Sequence, residues 1–194
     1  MTNPNNQHSI KQELPAVLMF VGLIWLVFAF DHFLPLEQFG LIPRNGSHLV
    51  GIITMPFLHG SLQHIMSNTV PLLVLLTLLA GSRANSRSIV LTIMLLGGAL
   101  LWLFGRGAAL HIGASVLVFG LAVFLIVSGL LERRLVPLAI AIFVTFMYGS
   151  SLLSGVLPWQ PGVSWDGHLF GGIAGAIAAF FLVRGKQMTS RFRS

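Results

Sequence analysis

The chain has 194 residues, of which 55% are hydrophobic and only 8% are charged. A soluble domain carries about 25% charged residues, so this composition excludes an ordinary soluble fold and indicates an integral membrane protein. The formal net charge is +6, but the basic residues lie at the ends of apolar segments, where membrane anchoring explains them without a nucleic-acid partner. The absence of cysteine excludes thiol catalysis, disulfides and thiolate metal sites.

Six apolar segments of about the length of a membrane span follow one another along the chain. A helix needs about 20 residues to cross a hydrocarbon core of about 30 Å. The segments cover approximately residues 15–34, 61–80, 89–104, 108–131, 135–157 and 167–183. We therefore predict an all-α polytopic membrane protein, a bundle of six transmembrane helices over residues 15–184. A polar N-terminal tail (1–14) and a basic C-terminal tail (185–194) flank this domain.

The distribution of lysine and arginine predicts the orientation of the bundle. Nine of these residues fall in the tails and connections on the side of the N-terminus, namely Lys11, Arg83, Arg87, Arg133, Arg134, Arg184, Lys186, Arg191 and Arg193. Only Arg44 and Arg106 fall on the other side. Because cytoplasmic loops carry the excess of positive charge, both termini are expected to be cytoplasmic. The second, fourth and sixth segments then all begin at the outer face.

Two stretches suggest how the segments are arranged. The longest connection, residues 35–60, contains apolar pieces that we expect to lie partly in the headgroup layer. The pair Gly97-Gly98 lies inside the short third segment, where it predicts close contact with another helix rather than a break.

Polar side chains gather at the outer ends of three segments. Ionisable and amide groups are costly inside a bilayer unless they face the bundle interior, so each of them is a functional hypothesis. His64 and Asn68 are four residues apart on the second segment and therefore lie on one helical face. Ser115 comes early in the fourth segment, and His168 opens the sixth. The shared depth and direction predict that these four residues meet in one water-accessible cavity.

This set of residues predicts nucleophilic catalysis. If the fourth helix begins at Ala108, Ser115 lies roughly 10 Å below the start of that helix at about 1.5 Å per residue. A serine hydroxyl needs a general base, and His168 supplies a neutral imidazole. His64, Asn68 and the backbone N–H of Ser115 are the candidate oxyanion donors. No carboxylate is placed on a helical face to orient His168, so the expected device is a Ser-His dyad.

Small residues favour close contact between the fourth and sixth helices. The stretch GHLFGGIAG places Gly167, Gly171 and Gly175 at four-residue spacing, a pattern that allows two helix backbones to approach closely. The fourth segment presents Gly113 and Gly120 around Ser115 and Phe119. Packing of these two faces would bring the serine within reach of the histidine.

Other interpretations of the same residues stay open at this point. Ser115 is also explained as a small packing residue, and His64 with Asn68 as an interhelical hydrogen-bonded pair. His59 is interpreted as a structural contact of the loop, and His111 as a rival base or a backbone-bonded loop residue. A metal site is disfavoured because the sequence has no HExxH motif, and no cofactor is expected. A small transporter is disfavoured because the polar residues gather at one face and no inverted repeat is evident.

Three motifs together resemble the rhomboid family of intramembrane serine proteases. HGSLQHIMSN (59–68) is similar to the HxxxxHxxxN motif of the second family helix, GAS (113–115) to the GxS nucleophile motif, and GHLFGGIAG to the last core helix. The resemblance implies Ser115 as nucleophile, His168 as base, and His64 with Asn68 as oxyanion stabilisers. It also implies that Gly113, Phe119 and Gly171 shape the site, with an aromatic ring at 119 stacked on the catalytic histidine.

The resemblance further implies a bacterial inner-membrane enzyme that cleaves transmembrane proteins near the outer face. A rhomboid-like pseudoprotease that binds transmembrane segments without cleaving them is the alternative, and the oligomeric state is not predicted. Two departures bear on the choice. Val116 replaces the usual glycine after the serine, and we expect its β-branched side chain to crowd the oxyanion region. Val50-Gly51 replaces a Trp-Arg pair that is common in the first loop of rhomboid-family proteins.

Overall fold

The computed structural model of the chain describes residues 10–107, 109–159 and 162–191. Within these residues the chain forms seven α-helices. They are α1 (Ile10–Asp31), α2 (Gly51–Thr54), α3 (Leu62–Ser82), α4 (Ser86–Phe104), α5 (Ser115–Glu132), α6 (Leu135–Gly155) and α7 (Trp165–Arg191). The short helix α2 lies in the first loop, between 3-10 turns.

Six of the helices are long and apolar enough to cross a membrane, which confirms the predicted six-helix architecture. The spans contain 18 to 22 residues, close to the length that a bilayer core requires. Helix α1 begins at Ile10, inside the predicted tail 1–14, and α7 continues past residue 184 to Arg191. The rest of the predicted N-terminal tail, residues 1–9, and residues 192–194 lie outside the described residues.

The start predicted for the fourth helix is wrong. Helix α5 begins at Ser115, so the serine is its first residue and not about two turns inside it. Ala108 is outside the described residues, and residues 109–114 form an irregular segment bonded to the first loop. Backbone hydrogen bonds join His111 to Leu41 in both directions, and Gly113 N–H donates to Met55 O at 2.8 Å. These distant partners replace the helical hydrogen bonds that an apolar run would otherwise form.

Helix α5 is the centre of the bundle. It packs against α3, α4, α6 and α7, and 61% of its span is buried, compared with 11% for α6. Its buried face includes Leu117, Leu121 and Phe124, which join one hydrophobic core with side chains of α1, α3 and α4. The residue that begins α5 is therefore held by the most buried helix of the protein.

Helices α5 and α7 meet through the predicted glycine face. A Cβ atom at Gly171 would overlap the carbonyl oxygen of Val116, and one at Gly175 would overlap that of Gly120. The two backbones are in contact at both positions, so no larger residue fits without moving a helix. This contact confirms the close approach that the glycine spacing predicts.

The glycine pair of α4 also lies at close contacts, as predicted. Helix α4 is continuous through both residues. A Cβ at Gly97 would lie 2.9 Å from Val116 Cγ1, and a Cβ at Gly98 would lie 2.9 Å from Ile52 Cγ2 in the first loop. Helix α4 therefore packs against both α5 and the loop.

The first loop enters the bundle rather than only lying on its surface. Leu41 and Met55 are fully buried and form a second small core with Leu101 and Val116. Gly51 stands at the position of the arginine in the Trp-Arg pair described above. It packs directly on the backbone of Leu41, and a Cβ there would lie 2.5 Å from Leu41 N. This close approach explains why the loop has no large side chain at that position.

We predict that Gly175→Ala lowers the melting temperature of the detergent-solubilised protein. The added methyl group overlaps Gly120 O, and overpacking of this kind costs about 1–3 kcal/mol, more than the helix propensity gained. Gly172→Ala is the matched control, because its Cβ would lie 3.4 Å from Val123 Cγ2, an ordinary contact. Equal melting temperatures for the two variants would contradict the helix contact.

Candidate active site

Ser115 is held at the start of α5 by the segment that precedes it. Gly113 has φ of +110°, a conformation that favours glycine. A Cβ on Gly113 would also lie 2.5 Å from Nε2 of His64, so the position excludes a side chain for two independent reasons. The next residue, Ala114, is fully buried and donates its N–H to His59 Nε2 at 3.4 Å. The backbone before the serine is thus fixed by the loop and by α3.

His168 lies in the first turn of α7, on the side of α5 that carries Ser115. Its ring stacks on Phe119, with centroids 4.0 Å apart and planes 10° apart. Phe119 is four residues after Ser115, so both side chains project from the same face of α5. The imidazole of His168 is therefore placed over the face that begins with the serine. Its Nδ1 lies 2.8 Å from the carbonyl oxygen of Gly155 at the end of α6.

His64 and Asn68 occupy one face of the first two turns of α3. Ser61 caps this helix by accepting the N–H of His64 at 3.1 Å. The ring of His64 packs against Gly113, two residues before the serine. Asn68 is 5% exposed, and its Nδ2 donates to His64 O at 3.1 Å. Both predicted oxyanion residues thus lie on the face of α3 that packs beside the serine segment.

His59 is a structural contact, in agreement with its interpretation from the sequence. It is 1% exposed, and its ring lies 4.9 Å from that of His64. Burial, with the neighbouring His64 as a second cause, lowers the pKa of His59 from 6.5 to about 4. The ring is therefore neutral at pH 7, which is the state needed for Nε2 to accept the Ala114 N–H.

His111, considered above as a rival base, takes part in a separate polar network. Its Nδ1 lies 2.6 Å from Ser164 Oγ, and its Nε2 lies 3.7 Å from a carboxylate oxygen of Asp166. Asp166 also accepts from the backbone N–H of Arg106 at 2.9 Å and from its guanidinium at 3.1 Å. Burial lowers the pKa of His111, and the nearby carboxylate opposes that effect.

This network ties the segment before Ser115 to the residues before His168. Sequence analysis missed it, because Arg106 and Asp166 are 60 residues apart and no motif links them. The only signal was an acidic residue two positions before His168 that lacked an evident partner.

The side chain of Val116 does not point toward the oxyanion residues. Val116 is 3% exposed and packs between α4 and α7, against Gly97 and Gly167. A Cβ at Gly167 would lie 3.2 Å from Val116 Cγ2. The expectation that this residue crowds the oxyanion region is therefore wrong, because consecutive helical side chains project about 100° apart.

The reactive atoms of the two central residues are available. In the part of the chain that the structure describes, neither Ser115 Oγ nor His168 Nε2 makes a hydrogen bond. Catalytic hydrogen bonds are often long in a substrate-free enzyme and shorten when substrate binds. The described residues also include no group of three or more His, Asp or Glu side chains suited to a metal ion. The arrangement suits proton transfer from a serine to a histidine.

Comparison with known proteins bears on the family of the chain. The family model described as "Rhomboid domain" matches residues 46–185. An uncharacterized protein of Mycobacterium tuberculosis strain H37Rv is 42% identical over 179 residues, which cover 86% of this chain and 73% of the relative. An uncharacterized protein of Mycobacterium leprae is 41% identical over 187 residues, covering 89% of this chain and 72% of the relative.

We predict that Val116 and Gly97 are energetically coupled. Val116→Ala leaves a cavity and costs about 1–3 kcal/mol of unfolding free energy. Gly97→Ala adds a Cβ beside Val116 Cγ1 and costs about 1–3 kcal/mol through overpacking. The double variant is expected to be destabilised by about 1 kcal/mol less than the sum of the two single variants, because the new methyl group fills the space that the valine leaves. The unfolding free energies of this double-mutant cycle are measured by reversible unfolding in mixed micelles. Strictly additive free energies would contradict the contact between Val116 and Gly97.

Proposed function

Because the chain belongs to the rhomboid family, we propose that it is an intramembrane serine protease that hydrolyses peptide bonds in or near transmembrane segments. Ser115 is the nucleophile and His168 the general base. The observation that carries this proposal is the stack of His168 on Phe119, one helical turn after Ser115. The imidazole of His168 thereby lies over the face of α5 that bears the hydroxyl, and its Nε2 has no hydrogen-bond partner among the described residues.

In the proposed reaction, His168 Nε2 takes the hydroxyl proton as Ser115 Oγ attacks the substrate carbonyl. The resulting oxyanion needs donors, and the His64 ring, the Asn68 amide and the backbone N–H at the start of α5 are close at hand. The positive end of the α5 dipole also favours negative charge at this point. Protonated His168 then donates its proton to the leaving amine, and water hydrolyses the acyl-enzyme by the reverse sequence.

The membrane sets a further requirement on the substrate. A helical peptide shields its carbonyl groups with internal hydrogen bonds, so the segment to be cut must unwind before Ser115 can attack. Helix-breaking or small residues lower that cost. The expected substrates are therefore transmembrane proteins that approach laterally and expose an extended peptide near the interface.

We further propose a bacterial inner-membrane location with both termini in the cytoplasm. The excess of basic residues on the side of the N-terminus supports this orientation. At that end of the bundle, Arg83 pairs with Glu132 and Arg87 pairs with Glu13. Ser115 and His168 both lie near the N-terminal ends of their helices, at the other end of the bundle. In the proposed orientation the site therefore faces the outer side of the membrane.

The alternative is a pseudoprotease that binds transmembrane segments without cleaving them. Val116 is the feature that favours it, since the family usually has glycine after the serine. Its side chain packs against Gly97 and Gly167, however, on a different side of α5 from the reactive hydroxyl. That packing supports the protease. The two functions differ in whether a bound transmembrane substrate is cut.

We predict that Ser115→Ala abolishes cleavage of a model transmembrane substrate in proteoliposomes, and that His168→Ala lowers turnover at least about 1,000-fold, as for other serine-histidine pairs. Wild-type activity should fall on acidification, because an imidazolium cannot accept the serine proton. Ser154→Ala is the matched control, since this exposed hydroxyl bonds only within its own helix, and it should cleave normally.

Substrate cleavage by Ser115→Ala at the wild-type rate would refute the role of Ser115 as nucleophile. Binding of the substrate by a folded wild-type protein without any cleavage would instead favour the pseudoprotease.

A further inference from the structure

We propose that the backbone carbonyl of Gly155 is the positioning group of the catalytic histidine, in the place that a carboxylate occupies in a Ser-His-Asp triad. The inference rests on the proposed function of Ser115 and His168 and adds a third member to it. No acidic side chain is hydrogen-bonded to His168 among the described residues, so the group that orients its ring has to be sought elsewhere.

The contact itself is short and has a clear direction. His168 Nδ1 lies 2.8 Å from Gly155 O. A carbonyl oxygen can only accept, so Nδ1 carries the proton and donates it. In the neutral ring this leaves Nε2 as the acceptor, and Nε2 is the nitrogen that must take the proton of Ser115. The contact therefore selects the tautomer that the reaction needs.

The position of Gly155 in α6 makes its carbonyl suitable for this role. Gly155 is the last residue of the helix, where carbonyl groups have no partner within the helix. The C-terminal end of a helix also carries partial negative charge, which stabilises a nearby cation. The carbonyl can thus bond the neutral imidazole in the resting enzyme and stabilise the imidazolium that forms during acylation.

A glycine is required for the helix end to approach the ring. A Cβ at this position would overlap Cζ of Phe119 and would lie 3.1 Å from His168 Nδ1. Phe119 holds the face of the imidazole and Gly155 holds its edge, so the two contacts together fix both tilt and rotation. On the same helix, a Cβ at Gly149 would meet only Thr145 Cγ2, at 3.8 Å.

Asp166 is the nearest acidic candidate for the same role, and its bonds exclude it. Its carboxylate accepts from the backbone and guanidinium of Arg106 and lies 3.5 Å from Ser164 Oγ. It also lies 3.7 Å from His111 Nε2, and among the described residues it makes no hydrogen bond to His168. The carboxylate therefore fixes the loop, and the orientation of the catalytic ring is left to the end of α6.

The tautomer of His168 tests the contact directly. Full-length protein labelled with 15N-histidine is studied by NMR in micelles at pH 8, with His168→Ala used to assign the resonances. We expect the neutral ring to carry its proton on Nδ1, although free imidazole side chains favour Nε2. A proton on Nε2 in the folded wild type would overturn the proposal, because Nδ1 then has no hydrogen to donate.

A kinetic comparison of two variants of α6 tests the role in turnover. Gly155→Ala should lower kcat about tenfold with KM nearly unchanged, because the added Cβ meets Phe119 and His168 Nδ1 and forces the carbonyl away from the ring, which weakens a hydrogen bond of ordinary strength to the base. Gly149→Ala, the matched control, should stay within about twofold of wild type. Unchanged kcat in Gly155→Ala would overturn the proposal, and if that variant does not fold, the wild-type tautomer decides.

The two proposals fail in different ways. A wild-type protein that does not cleave substrate contradicts the proposed protease function. The tautomer of His168 still reports in that case whether the Gly155 carbonyl holds the ring. An active wild type with its proton on Nε2 contradicts the positioning role alone.

Discussion

The backbone contact between α5 and α7 determines how the serine and the histidine are arranged. Gly171 and Gly175 let α7 lie directly on the carbonyl groups of Val116 and Gly120. Ser115 immediately precedes this contact on one helix, and His168 lies one turn before it on the other. The separation of hydroxyl and imidazole is thus set by two helix backbones, which are stiffer than loops. Inside a bilayer such small-residue packing is a main source of helix association.

The surroundings of the serine are organised by contacts from outside these two helices. The first loop enters the bundle and bonds the segment before Ser115 through Leu41 and Met55, while His59 accepts the N–H of Ala114. His111 joins that segment to Ser164 and Asp166 at the start of α7, and Asp166 also binds Arg106 after α4. The hydrogen bonds of such a buried network strengthen one another, because the local dielectric constant is low. The result is a site built on a rigid support, as preorganised catalysis requires.

Much of this arrangement follows from the sequence. Apolar length predicted the six spans, and four-residue glycine spacing predicted the α5–α7 contact. The family motifs singled out Ser115, His168, His64 and Asn68, which lie near the N-terminal ends of α5, α7 and α3. These features are local, so hydropathy and spacing reveal them.

The features that sequence reasoning missed depend on distant or backbone partners. The start of α5 was misplaced because residues 109–114 are as apolar as a helix, and their bonds to Leu41 and Met55 have no sequence signature. Val116 was expected to crowd the oxyanion, but the glycines that accommodate it lie on α4 and α7. Gly155 acts through a carbonyl group, which every residue has, so no pattern could have identified it.

The most direct test of the account is to map where a fluorophosphonate probe attaches to the folded wild-type protein. Peptide mass spectrometry of the labelled protein should find the phosphonyl group on Ser115 and on no other hydroxyl. This is expected because Ser115 lies at the start of α5 on the face over which the proposed base His168 is stacked, whereas the imidazole beside Ser164 belongs to the His111–Asp166 network. A folded protein that takes no label, or takes it at another serine, would contradict the pairing of Ser115 with His168.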